Sequence, residues 1–147
     1  MALEELYREV ILDHYRNPRN RLPIDEPEFE AEGVNPLCGD EVKVEVRFEN
    51  GTVQEVSVRG HGCSISQSSG SMMGEAIKGL NRQDVVDLAG RFQTMLTRED
   101  DRGEDTLPGA EPGSVIGELE ALQGVRRYPV RIKCASLPWT TLIQAIR

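Results

Sequence analysis

Between residues 3 and 15 the positions Leu3, Leu6, Tyr7, Val10, Ile11, His14 and Tyr15 recur at three- and four-residue spacing, the period of one helix face. Glu4, Glu5, Arg8, Glu9 and Asp13 interrupt them, so the segment reads as an amphipathic helix and not as a signal peptide; Asn17-Pro18 ends it. A Pro- and Glu-rich stretch, 18–33, is expected to run over the surface. The period then changes to two. Val42, Val44, Val46 and Phe48 alternate with charged residues, Asn50-Gly51 marks a turn, and Val53, Val56 and Val58 return. Asn-Gly between alternating apolar runs suits a type I′ hairpin turn, in which both central residues take positive φ.

Past Gly60-His61-Gly62-Cys63 the pattern becomes helical again, through Met72, Met73, Ala76 and Ile77. Asn81 with Asp84 opens a further helix carrying Val85, Val86, Leu88, Ala89, Phe92, Met95 and Leu96. Thr97 to Ser114 is acidic and rich in Gly and Pro, and is expected to be a loop. A short helix is expected over Val115 to Leu122, an extended or turning entry over Val130 to Cys134, and a last helix over Leu137 to Ile146. Helix, antiparallel strands, then helices predict one α+β domain over 1–147, with helices on one face of a small antiparallel sheet.

Composition narrows the class. The chain has 147 residues, 29% charged and 38% hydrophobic, as in a globular protein with its own core. Its net charge of −8 argues against nucleic acid as a partner, since that binding neutralises phosphates with Lys and Arg. No stretch approaches the ~20 apolar residues that span a bilayer, so no membrane role is expected. Without an export signal the expected location is cytoplasmic, where thiols stay reduced.

Three cysteines cannot all pair internally. A lone cysteine is usually a small buried hydrophobe, but these three are expected at element boundaries. Cys38 lies between Pro36 and Gly39, on a predicted loop. Cys63 opens a predicted helix, where unpaired N–H groups and the helix dipole favour a thiolate. Cys134 follows Arg131 and Lys133, two cations expected to favour its thiolate as well. Zinc prefers four ligands and accepts thiolate and carboxylate, so Asp40, two residues from Cys38, is the candidate fourth; His61 ranks below it. Three thiolates and a carboxylate around Zn²⁺ leave about −2 of charge, which Arg131, Lys133 and the helix start after Cys63 are placed to offset.

These segments resemble a known family, the iron–sulfur cluster assembly proteins IscU, SufU and the N-terminal domain of NifU. The residues that carry the likeness are Pro36-Leu37-Cys38-Gly39-Asp40, Gly60-His61-Gly62-Cys63-Ser64-Ile65-Ser66 followed by Ser69, Ser71, Met72 and Met73, and Arg131-Ile132-Lys133-Cys134-Ala135, together with Leu6-Tyr7, Ile11 to Tyr15 and Asn17-Pro18. Lys133 stands where IscU-type members carry histidine, and the acidic segment 97–114 resembles an insertion of the SufU branch.

The resemblance implies one zinc at one end of the sheet, held by Cys38, Asp40, Cys63 and Cys134. It implies transfer of sulfur from a SufS-type cysteine desulfurase, which exchanges a histidine for one cysteine on the zinc. By motif match the released thiol is Cys38. It also implies that Arg131 orients Asp40 or the incoming persulfide, and that downstream iron–sulfur assembly proteins receive the sulfur. Two other readings stay open: a scaffold for a transient [2Fe–2S] cluster, labile because one ligand is oxygen, and a zinc-stabilised binding module without sulfur chemistry.

Overall fold

A computed structural model describes residues 3–97 and 118–147. The chain begins with α1 (Leu3–Arg16), closed by the Asn17 N–H on the Asp13 carbonyl at 2.8 Å. Three strands follow, β1 (Phe29–Asn35), β2 (Asp40–Glu49) and β3 (Thr52–His61), as an antiparallel sheet in the order β1-β2-β3. Then come α2 (Ser64–Ile77), α3 (Arg82–Thr97), a 3-10 helix (Glu120–Arg127) and α4 (Pro129–Ile146). The expected α+β arrangement holds. Among the described residues, no helix is long and apolar enough to cross a membrane.

The hairpin forms as the alternation requires. Asn50 and Gly51 have φ of 55° and 80°, and Val44 pairs with Val58 in a register that slips once, at Arg47/Phe48. Val42, Val44 and Val46 of β2, with Val53, Val56 and Val58 of β3, turn to the core. There they meet Met72, Met73 and Ile77 of α2, Phe92 and Leu96 of α3, and Trp139 and Leu142 of α4. Phe92 stacks on Trp139 with ring centroids 4.6 Å apart, and the Trp139 indole N–H reaches Ser69 Oγ at 3.2 Å. Ser69 in turn donates to the Ala135 carbonyl at 2.6 Å, so α2 and α4 are pinned together one residue from Cys134. Asn81 caps α3 by accepting the Asp84 N–H at 2.8 Å.

Three expectations need correction. The surface stretch assigned to 18–33 ends early, because β1 begins at Phe29 and pairs Ala31 with Val44. Its Glu-, Ala- and Gly-rich sequence has little strand propensity, and the β2 ladder with α4 over its inner face supplies the order. The last helix starts at Pro129 and not at Leu137, so the expected entry Val130–Cys134 is helical. Proline fits the first turn, where its missing N–H costs nothing, and packing overrides the strand preference of Val130 and Ile132. In the expected helix 115–122 the described residues are helical, α at Glu118 and Leu119 and then 3-10 from Glu120, but the helix does not stop at Leu122 and continues to Arg127. The expected acidic loop lies, beyond Thr97, outside the described residues.

The segment joining α1 to β1 closes the opposite side of the sheet. Asn20 accepts the Val58 N–H at 2.7 Å, and buried Ile24 gives its N–H to Glu45, whose carboxylate also pairs with Arg59. His14, expected on the helical stripe, is buried between Ser71 Oγ and Glu118, whereas Tyr15 is exposed.

Gly33 marks the tightest crossing of α4 over β1: a Cβ there would run into the Thr141 hydroxyl and lie 3.1 Å from a Leu137 methyl. Gly33→Ala is therefore expected to cost about 1–3 kcal/mol by overpacking, read as a lower urea midpoint with unchanged slope. An unchanged midpoint would mean that α4 does not bear on β1 as described.

Candidate metal and thiol site

The site is built where three chain segments meet at one end of the sheet. The β1–β2 connection carries Cys38. Asn35 closes this turn, its carbonyl accepting the Cys38 N–H at 3.2 Å and its side-chain oxygen the Leu37 N–H at 3.3 Å, and Gly39 takes φ 71°. Asp40 opens β2 directly opposite Asn35. The second segment runs from β3 into α2, where Cys63 is the N-cap residue. The third is the start of α4, which carries Cys134 on its second turn.

Cys38, Asp40 and Cys134 each offer a ligand atom, and these atoms lie within 4.8 Å of one another. Cys134 Sγ is 3.4 Å from Cys38 Sγ, well beyond the ~2.05 Å of a disulfide. All three cysteines are free thiols. Cys63 lies outside that group of three and touches it through Asp40: its backbone N–H donates to Oδ1 at 2.8 Å, and its sulfur lies 3.8 Å from Oδ2. This approach needs the glycine before it, because at Gly62 φ is 152° and a Cβ would overlap the Asp40 carboxyl.

The four groups differ in exposure. Asp40 and Cys134 are buried, at 1% and 0% exposure, while Cys38 and Cys63 are half-buried. The inner thiol and carboxylate are thus fixed, and the outer two thiols can be reached from solvent. Arg131 is exposed, and the sulfurs of Cys63 and then Cys134 beside it hold its guanidinium charged, above its ordinary range. Lys133 points to solvent. His61 is 73% exposed in its side chain and pairs with Glu41 at 2.8 Å, outside the Cys38–Asp40–Cys134 group.

One electrostatic expectation reverses. Cations near Cys134 were expected to favour its thiolate. In the metal-free protein, burial first, then hydrogen bonding with Cys38, Asp40 and Cys63, pushes the Cys134 thiol well above its ordinary value of 9.0. Desolvation of an inward-facing thiol outweighs an arginine at the rim. The sequence also left Asn35 without a role, although its amide donates to Cys134 Sγ at 3.8 Å. The only signal was its place before Pro36 in the turn.

The donor set fits a thiophilic metal on chemical grounds. Sulfurs on a tetrahedral centre with ~2.3 Å bonds lie about 3.8 Å apart, close to the Cys38–Cys134 separation. A buried carboxylate that accepts one backbone N–H among three sulfurs also calls for positive charge nearby.

The raised Cys134 value gives a pH prediction for the metal-free protein. A thiol whose folded value lies above its unfolded one contributes stability that is present below about pH 9 and is lost as pH rises through the folded value. Urea midpoints are expected to fall above pH 9 in metal-free protein, and Cys134→Ala is expected to flatten that fall. A flat profile in the unaltered chain would contradict the burial argument.

Comparison with known proteins agrees with this construction. The family model described as the NifU-like N terminal domain matches residues 6–135. The "Zinc-dependent sulfurtransferase SufU" of Bacillus subtilis (strain 168) is 37% identical over 144 residues, spanning 98% of this chain and 91% of the relative. The "Iron-sulfur cluster assembly scaffold protein IscU" of Streptococcus pyogenes serotype M1 is 33% identical over 145 residues, 99% of this chain and 85% of the relative. Among solved structures, a candidate iron–sulfur cluster assembly scaffold protein for the SUF system of Fervidobacterium islandicum AW-1 superposes with a TM-score of 0.83 at 29% identity, covering 99% of this chain and 100% of that one. The motif segments, the sheet with its thiol and carboxylate cluster, and these matches agree: the chain belongs to the NifU-like N-terminal domain family of SufU and IscU relatives.

Proposed function

We propose that this chain serves iron–sulfur cluster assembly as a zinc-dependent sulfur acceptor, taking sulfane sulfur from a SufS-type cysteine desulfurase and passing it to downstream assembly proteins. One observation carries the reading: a half-buried thiol on a turn, Cys38, lies 3.4 Å from a fully buried one, Cys134, beside the buried carboxylate of Asp40. The likeness to the Bacillus subtilis zinc-dependent sulfurtransferase supports it.

In this reading Cys38, Asp40, Cys63 and Cys134 hold the zinc. When bound, the metal keeps its thiolates deprotonated without redox chemistry of its own. The remaining work falls to the chain. Cys38 is the acceptor because it sits on a turn outside the sheet ladder and can move without breaking a strand. Its thiolate attacks the terminal sulfur of the donor's persulfide; the donor's S–S bond breaks, its cysteine leaves as a thiolate, and a persulfide forms on Cys38. No net oxidation or reduction occurs. Arg131, beside Cys63 and Cys134, provides the positive charge that steers an anionic persulfide to this rim.

The scaffold reading draws on the Streptococcus pyogenes relative. Lys133 counts against it: where IscU-type members carry histidine, this chain presents a solvent-facing ammonium that cannot ligate iron while charged.

Alanine release by a SufS-type desulfurase supplied with cysteine is expected to rise strongly on adding zinc-loaded protein and to fall to the unassisted rate with Cys38→Ser. Full stimulation by the variant would place the acceptor elsewhere. Asp40→Ala is expected to lower zinc content and to leave Cys63 and Cys134 more readily oxidised by peroxide, because metal capping protects thiolates; undiminished zinc would remove Asp40 from the ligand set.

A further inference from the structure

The two thiols 3.4 Å apart are not held alike. Among the described residues, Cys38 is held by its backbone N–H on the Asn35 carbonyl and, through its sulfur, only by the contact with Cys134 itself. The Cys134 sulfur is held directly. It turns back on its own helix, 3.9 Å from the Val130 carbonyl, and faces the Asn35 side-chain amide at 3.8 Å. That amide is itself locked: Asn35 is 6% exposed, its other side-chain atom takes the Leu37 N–H, and its backbone pairs with Asp40 across the sheet. One residue therefore touches the turn that bears Cys38, the strand that bears Asp40 and the sulfur of Cys134.

We propose that Asn35 is a positioning residue that makes the two thiols unequal: its amide donates to the Cys134 sulfur and anchors it, so that Cys38 is the thiol that leaves. The inference rests on the proposed zinc-dependent acceptor reading and goes beyond it by assigning what selects the mobile ligand. A donor held against a ligating sulfur fixes its orientation, as outer partners of metal ligands generally do. The orientation survives departure of Cys38, because nothing in the Asn35–Cys134 contact depends on the Cys38 side chain.

The test separates this role from that of capping the turn. Asp and Ser at position 35 can both still accept the Leu37 N–H, but Asp has no N–H to give and Ser is too short to reach the Cys134 sulfur. Zinc-loaded wild type, Asn35→Asp and Asn35→Ser would be compared by competition with a chromophoric chelator and by peptide-resolved alkylation of the three cysteines. Thermal unfolding would confirm that each variant is folded; if Asn35→Asp is not, Asn35→Ser decides.

The expected result is zinc held about tenfold or more weakly, with Cys134 labelled at a rate approaching that of Cys38, whereas wild type labels Cys38 first. Wild-type affinity and labelling order in a folded variant would overturn the role of Asn35 and leave the acceptor reading intact. A wild-type chain that takes up no zinc would instead sink the acceptor reading, and this inference with it.

Discussion

A buried carboxylate holds the site together. Asp40 is 1% exposed, yet it sits at the first residue of β2 with one oxygen on the Cys63 N–H and the other facing the Cys63 sulfur. Removing a carboxylate from water costs several kcal/mol unless charge and hydrogen bonds replace the lost solvent. That requirement explains much of the local sequence. Gly62 must lack a side chain so that the strand-to-helix turn can close over the carboxyl group. Cys63 must be the N-cap residue so that its N–H points back. The nearby cysteines then supply soft donors around a point where a cation would offset the negative charge.

The rest of the fold brings the third segment to that point. Cys134 reaches the cluster because α4 is pinned from both sides: to β1 by the close crossing at Gly33, and to α2 by the Trp139–Ser69–Ala135 chain of hydrogen bonds. The stacked Phe92 and Trp139 extend the same contact to α3. Rigidity is therefore concentrated behind the buried Asp40 and Cys134, while Cys38 occupies a turn at the rim. The proposed release of one thiol with the others kept needs this asymmetry, since thiol exchange requires an attacking sulfur that can move.

Most of this arrangement was legible in the sequence where local chemistry and tertiary structure agree. The Val42–Phe48 alternation with Asn50-Gly51 fixed the hairpin, and the glycines around His61 and Cys63 marked the turn into α2. Legibility failed where packing overrules propensity. Phe29–Asn35 is poor in strand formers and becomes a strand through its β2 partner. Val130 and Ile132 resemble a strand and are helical because Pro129 starts a helix that the core then buries. The burial that raises the Cys134 thiol without metal was hidden for a related reason: neighbours in sequence are visible, but burial is not. Asn35 escaped notice because its partner, Cys134, is 99 residues away.

The central claim is that Cys38 is the sulfur-accepting thiol of a site whose other members stay in place. The most direct measurement is peptide mass spectrometry of the zinc-loaded protein after brief exposure to a SufS-type desulfurase and cysteine, with thiols and persulfides trapped by alkylation. The account predicts one added sulfur on the peptide containing Cys38 and none on those containing Cys63 or Cys134. Added sulfur on Cys63 or Cys134, with Cys38 unmodified, would contradict it.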